Sequence, residues 1–230
     1  MDLRKAMPYL LVIQLLIMLV LVSQVFSLNA AITGNTIAEI NTGTNTDTNT
    51  AGNLELSDKT GGIDITGDPY LGGDPEEVNV VIIEFSDFEC PYCSRGLETV
   101  HDLADIYGDK ISIVFKDFPL SFHQYAQVAS EAAECADEQD MFWEYHDGLF
   151  ANQALFSDDY FYTLADELGL DSGDFTECLS SGAMASEVRT DYGHGVTAGV
   201  RGTPAFFVNG ELVSGAQPAS SFASLIDPYL

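Results

Sequence analysis

The stretch Glu84-Phe85-Ser86-Asp87-Phe88-Glu89-Cys90-Pro91-Tyr92-Cys93 joins two segments of different period, and that junction constrains the fold more than anything else in the chain. Before it, Val78-Asn79-Val80-Val81-Ile82-Ile83 is an apolar, β-branched run of buried-strand length. After it, Leu97, Val100, Leu103, Ala104 and Tyr107 recur at helical spacing. A C-x-x-C between a strand and a helix puts its thiols at a helix start, where unpaired N–H groups and the positive end of the macrodipole favour a thiolate. Cys90 is therefore expected to ionise more readily than a free cysteine. Cys93 is placed to reach its sulfur and close a small disulfide ring, so the pair can cycle between dithiol and disulfide by exchange with a partner protein.

A C-x-x-C by itself also fits half of a zinc site or an inert structural bridge. A zinc site of ordinary spacing needs a second Cys/His pair a few residues apart, and none follows; His101, His123, His146 and His194 are scattered. The strand-to-helix context favours thiol–disulfide exchange, with no metal and no cofactor beyond the Cys90–Cys93 pair itself.

Around this junction the chain has one sizeable core and two appendages. Of its 230 residues 46% are apolar, enough for a single core of about 150 to 170 residues. Residues 1–28 open with Arg4 and Lys5 and run apolar from Ala6 to Leu28, with Gln14, Ser23 and Gln24 as interruptions. The basic end should stay in the cytoplasm and the rest should cross. The segment reads as an uncleaved membrane anchor; a cleaved signal peptide is the alternative, since Tyr9 to Val22 has the form of an h-region but no strong A-x-A site follows. Residues 29–60 turn to Thr, Asn, Gly and Ala, too polar to offset the entropy of ordering, and read as a disordered tether. A folded domain over residues 61–230 is then expected outside the cytoplasm.

Charge narrows the partners. With 36 acidic against 8 basic residues the formal net charge is −28, a surface that repels nucleic acid, anionic membranes and, at low salt, itself. Molar salt shortens the Debye length to about 3 Å and removes that cost. The balance fits a high-salt habitat, with an ordinary acidic secreted protein as the alternative.

Inside the domain, the turn-rich lead-in Gly61 to Glu77 holds a candidate edge strand at Ile63-Asp64-Ile65, and Ile111 to Phe118 reads as a second central strand with Lys116 embedded in it. From Phe122 to Val200 the pattern is helical: Tyr125 to Ala136, Met141 to Phe150, Asp158 to Leu168, Asp171 to Ser180 and Ala183 to Ala198. Asp158, Asp171 and Ser181 are candidate N-caps. A β pattern returns in Ala205-Phe206-Phe207-Val208, turns at Asn209-Gly210 and continues in Glu211-Leu212-Val213; a last helix covers Ala219 to Ile226.

This order, with Gly202-Thr203-Pro204 leading into the hairpin, resembles the thioredoxin fold, and specifically the DsbA-type thiol–disulfide oxidoreductases with a helical domain inserted in it. Glu84 to Cys93, Met141-Phe142-Trp143-Glu144-Tyr145-His146-Asp147 and Val200 to Gly210 carry the likeness, which extends over about residues 66–230. The fold class it implies is α/β: a central mixed sheet flanked by helices, with an all-helical subdomain inserted over about residues 122–200.

The resemblance also implies roles. Pro204 should follow a cis bond and lie against the cysteines, leaving the Thr203 backbone to pair with an extended substrate as an added strand; on the residues alone, Thr-Pro before a strand is a plain turn. Glu84 matches a buried acid behind the cysteines and Lys116 a buried lysine on the adjacent strand, a pair able to shuttle the Cys93 proton through water. Two strand-end charges facing solvent are the alternative. Asp87 and Glu89 are expected at the surface, close enough to raise the Cys90 pKa. Pro91-Tyr92 stands where the best-known DsbA enzymes carry Pro-His, which predicts a less strongly oxidising disulfide. Cys135 and Cys178 are expected to form a structural disulfide, as related proteins often do there, against two buried free thiols. Phe142, Trp143 and Tyr145 are assigned to the insertion core, and His146 and His194 to partly buried or surface positions.

The function implied is an exported oxidoreductase that introduces disulfides into extracytoplasmic Cys-containing proteins. Cys90 is its nucleophile, Cys93 its resolving thiol, and a quinone-linked membrane partner re-oxidises the site. A reductase or isomerase of the same fold, or a non-catalytic tethered binding module, are the alternatives.

Overall fold

The computed structural model of the chain describes residues 54–230. The anchor expected at residues 1–28 and most of the tether expected at 29–60 lie outside the described residues. No helix among the described residues is long and apolar enough to cross a membrane.

Regular structure begins earlier than residue 61, with α1 (Leu56–Lys59). Lys59 explains it: the side chain is buried, and Nζ donates to the carbonyls of Pro75 (2.7 Å), Glu76 (3.2 Å) and Val78 (2.7 Å). An ammonium satisfied by main-chain oxygens ties the lead-in to the loop before the first central strand. The averaged Thr/Asn composition around it hides that single lysine.

One sheet forms from β1 (Tyr70–Gly72), β2 (Val80–Ser86), β3 (Ile111–Asp117), β4 (Ala205–Val208) and β5 (Glu211–Ser214), in the order β1-β3-β2-β4-β5. The central β2–β3 pair is parallel and the other three pairs are antiparallel. Every residue of β2 and β3 is buried, because both sheet faces are covered, and this is why both strands read as near-continuous apolar runs. The edge strand is Tyr70–Gly72 rather than the expected Ile63-Asp64-Ile65. There the Asp64 carboxylate accepts from the Thr66 N–H at 3.0 Å, a local turn that competes with extended pairing.

The crossover from β2 to β3 runs through α2 (Pro91–Tyr107), whose Val100 and Leu103 pack with Val80, Ile82, Ile113 and Phe206 on one sheet face. Val81, Ile83, Phe85 and Val114 form the other face, under Phe118 and Val200. The β4–β5 turn places Asn209 at φ 46° and Gly210 at φ 80°, the left-handed conformations that a two-residue hairpin turn requires.

Between β3 and β4 the chain inserts α3 (Ala126–Asp137), α4 (Phe142–Ala151), α5 (Tyr160–Leu168), α6 (Ser172–Ser181) and α7 (Ala185–Ala198). The apolar spacing placed their bodies well and their starts less well. Asp171 caps α6 by accepting from Gly173 N (2.9 Å) and Asp174 N (3.0 Å). Asp158 is no cap: α5 follows Asp159, which makes no side-chain capping bond. Ser181 ends α6 instead of starting α7, because Gly182 turns the chain left-handed there. A disulfide joins Cys135 of α3 to Cys178 of α6, with the Cα atoms 5.9 Å apart. Phe142 and Tyr145 lie in the insertion core, while Trp143 is only partly buried and reaches back to the sheet, Nε1 donating to Tyr70 O at 3.0 Å. His146 is fully buried, not partly exposed: the rings of Phe88, Phe115, Phe142, Trp143 and Phe150 enclose it, and burial lowers its pKa. The chain closes with α8 (Ala223–Ile226).

Candidate active site

Cys90 is the N-cap residue of α2 and Pro91 its first helical residue. Proline suits that position, since its ring presets φ and the N–H it lacks would have had no helical partner. The Cys90 carbonyl accepts from Cys93 N (3.1 Å) and Ser94 N (3.2 Å), so the first helical bonds close around the thiols. The Cys90 Sγ makes no capping bond. It faces Thr203 and donates to the Thr203 carbonyl at 3.7 Å. The Thr203–Pro204 peptide is cis, and Cys90 and Cys93 are both free, buried thiols. Gly96 lets α2 pass this close to the proline: a Cβ there would lie 3.3 Å from Pro204 Cγ. The glycine is visible three residues after Cys93, but only the fold shows what it clears.

The two thiols differ in acidity. The hydrogen bond from Cys93, helped by the Thr203 side chain and by the N–H groups of Cys93 and Tyr92, outweighs burial and pulls the Cys90 thiol down to about 5. Burial, reinforced by the bond to Cys90, pushes the Cys93 thiol far above its ordinary range. Cys90 is thus the sulfur prepared to attack, and Cys93 holds its proton until a base removes it.

The expected pairing of Glu84 with Lys116 does not form. In the parallel register Glu84 lies beside Phe115 and Lys116 beside Phe85, and residues paired across neighbouring strands share a face. Glu84 and Lys116 are therefore on opposite faces of the sheet. Neither faces solvent. Lys116 Nζ lies 2.6 Å from both Asp68 and Asp191; burial works to lower its pKa, and the two carboxylates overcome it and hold the ammonium charged. Glu84 has no such partner, and burial lifts its carboxyl to about 7 with only Ser86 opposing. Ser86, two residues along the same strand face, also favours the ionised form of Cys93, and its buried hydroxyl has no regular hydrogen-bond partner among the described residues. Glu84, Ser86 and Cys93 are the polar groups behind the nucleophile.

Asp87 and Glu89 are not surface charges. Asp87 is fully buried and its carboxylate accepts from Glu89 N and Leu120 N and pairs with His123 Nδ1, each at 2.8 Å. Glu89 is half-buried and accepts from Tyr125 N. Neither is among the leading causes of the Cys90 shift. They fasten the loop before the cysteines to the segment entering the insertion. Gln153 completes that attachment, its Nε2 donating to Phe88 O (2.8 Å) and Cys90 O (3.0 Å). A single glutamine in a helical stretch carries no sequence signal.

Tyr92 is exposed, with the Arg95 guanidinium 4.3 Å from its ring centroid. It borders a groove of about 490 Å³ together with Arg201, Thr203, Pro204 and Leu212. No group of three or more His, Cys, Asp or Glu among the described residues is arranged to hold a metal ion.

Three comparisons bear on this geometry. The DSBA-like thioredoxin domain family matches residues 81–227. Among curated proteins, the Na(+)/H(+) antiporter NhaA 3 of Salinispora tropica is 40% identical over 137 residues, 59% of this chain and 21% of the antiporter. The chain spans about a fifth to a quarter of the length of the curated relatives it matches. Among solved structures, a thioredoxin-like oxidoreductase from Silicibacter pomeroyi superposes with a TM-score of 0.62 and 25% identity, over 71% of this chain and 92% of that one. Oxidised BdbD from Bacillus subtilis gives a TM-score of 0.64 at 22% identity, over 72% and 94%, and shares the fold.

Proposed function

The chain belongs to the DSBA-like thioredoxin domain family, a family of thiol–disulfide oxidoreductases, and from that premise we propose that it forms disulfides in proteins outside the cytoplasm. One observation carries the reading: Cys90 stands at the start of α2, with Sγ 3.7 Å from the Thr203 carbonyl and its thiol pulled down to about 5. A thiolate so favoured stabilises the reduced form and makes the disulfide a better oxidant.

In the oxidised protein, a substrate thiolate attacks the Cys90 sulfur and forms the Cys90–substrate disulfide, and Cys93 leaves. Burial makes that leaving thiolate costly, so it takes up a proton; Glu84, poised near neutrality on the same side of the sheet, supplies it by way of Ser86 or water. A second substrate thiolate then attacks the substrate sulfur and releases Cys90. The substrate is oxidised and the pair is left as a dithiol. The Thr203 backbone beside Pro204 holds the substrate segment extended along the groove. A membrane partner takes the two electrons and restores the disulfide. Residues 1–28 tether the domain to the membrane, and the charge of −28 suits a high-salt medium.

Tyr92 gives Cys90 only a backbone N–H, so the potential is expected below that of Pro-His enzymes and above that of thioredoxin, about −270 mV. Equilibration of the full chain in glutathione buffers at high salt measures it. A potential at or below about −270 mV overturns disulfide donation and favours a reductase.

A further inference from the structure

The basic side chains of this acidic chain are placed unevenly. Among the described residues they are Lys59, Arg95, Lys110, Lys116, Arg189 and Arg201. Lys59 and Lys116 are buried and fully engaged. The ion pairs among the described residues involve Lys116 and histidines; none of the three arginines has a described carboxylate within ion-pair distance, although acidic residues outnumber basic ones 36 to 8 in the whole chain. Two of those arginines flank the groove that Thr203 lines, and the Thr203 carbonyl is the group that Cys90 Sγ faces. Arg95 lies over the Tyr92 ring, and Arg201 lines the groove that Tyr92, Thr203, Pro204 and Leu212 share. No Asp or Glu lines that groove.

We infer that the groove takes substrate segments with acidic side chains next to the reacting cysteine, and that Arg95 and Arg201 bind those carboxylates. The inference rests on the disulfide-exchange reading above and names its substrate class. A guanidinium offers a planar fork that matches a carboxylate, and stacking on Tyr92 holds one fork in place before substrate arrives. A chain at −28 repels an acidic partner at a distance, and two guanidinium groups at the groove oppose that repulsion locally, where the substrate segment lies. Leu212, 47% exposed, supplies apolar contact beside them.

The test uses the oxidised full chain and three synthetic dithiol peptides that differ only at the residues flanking one cysteine, Asp, Asn or Lys, at 0.15 M salt. Here the Debye length is about 8 Å and long-range repulsion is largely screened. The rate of peptide disulfide formation is compared between the wild type, Arg95→Gln/Arg201→Gln and Arg189→Gln. Acidic neighbours change a peptide thiol's own reactivity, so the quantity read is the Asp-to-Lys rate ratio, in which that effect cancels between variants. Each exposed pair is worth up to about fivefold, so the ratio is expected to fall about tenfold in the double variant. It should stay unchanged in Arg189→Gln, whose side chain lines a different cavity. An equal ratio in wild type and double variant overturns the inference, as does an equal fall in Arg189→Gln, which would make it an effect of net charge. If no peptide is oxidised, the Asn peptide included, the exchange reading fails and takes this inference with it.

Discussion

Glu84 and Lys116 sit one residue out of step on neighbouring central strands, and the sheet gives them opposite surroundings. On the face covered by α2, Glu84 is buried without a cation and its carboxyl rises to about 7. On the other face, Lys116 is buried between Asp68 and Asp191, each 2.6 Å away. An unpaired buried acid has two protonation states close in free energy near neutral pH, which suits it to proton transfer. A paired buried cation has one state over the whole range, which suits it to holding elements together. Here it ties β3 to α7 and to the lead-in. A buried acid on β2 and a buried cation on β3 are thus suited to chemistry on one side and to architecture on the other, and what separates them is a single residue of register.

The comparison breaks most visibly at Lys116. Lys116→Met keeps the bulk but leaves Asp68 and Asp191 buried without their cation, which is expected to cost about 3 to 5 kcal/mol in urea unfolding at pH 8. The loss should shrink toward pH 5, where a proton replaces the cation on Asp68, whose carboxyl already lies at about 7 with Lys116 present. The Cys90–Cys93 potential should not move. A variant as stable as the wild type at pH 8 would remove the structural half of the contrast.

Glu84→Gln tests the other half, and its effect has the opposite sign. Because the folded-state pKa of about 7 lies above the ordinary 4.5, the folded state binds this proton more tightly than the unfolded chain. The contribution to stability is fully present below pH 4.5, falls as pH rises, and above pH 7 the ionised, buried Glu84 lowers stability by about 3 kcal/mol. Gln carries no such charge, so the variant should be more stable than the wild type by about that amount at pH 8 and nearly equal to it at pH 4. Its exchange should slow as well, through loss of the proton donor to Cys93. Equal pH slopes in variant and wild type would show that Glu84 is not held near neutrality.

Some of this was legible in the residues and some was not, for a definite reason. The strand, C-x-x-C and helix were readable because period changes at that junction, and the Asn209-Gly210 hairpin because left-handed φ selects those residues. The cis bond at Pro204 came only from the likeness to a family, and the Cys135–Cys178 bridge from that likeness together with the two cysteines of a chain read as exported; the structure has both. Face assignment failed: two charges on adjacent strands look like partners until the register is known, and a one-residue offset reverses the answer. Asp87 failed in a related way. It read as a surface charge, but Glu89 N two residues on and, from elsewhere in the chain, Leu120 N and His123 satisfy it in the interior. Gln153 and Lys59 act through main-chain carbonyls, which every sequence offers equally and which therefore leave no pattern.

The smallest expected effect sharpens the contrast from the thiol itself. The Cys93 hydrogen bond leads in lowering the Cys90 pKa, burial opposes it, and the Thr203 side chain and two backbone N–H groups add to it; neither Glu84 nor Lys116 is among these leading causes. Alkylation of the reduced protein by iodoacetamide should therefore label one thiol at a rate that is flat above about pH 6.5 and halves near pH 5, following the thiolate fraction. With the folded pKa below the ordinary 9.0, the same group contributes stability to the reduced protein that is fully present above about pH 9, declines as pH falls, and is gone below about pH 5. Glu84→Gln and Lys116→Met should shift the alkylation half-point by less than about half a unit. A larger shift in Glu84→Gln alone would mean that the buried acid sets the nucleophile's own acidity and not only the proton supply to Cys93; a shift in both would mean that the sheet does not insulate its two faces.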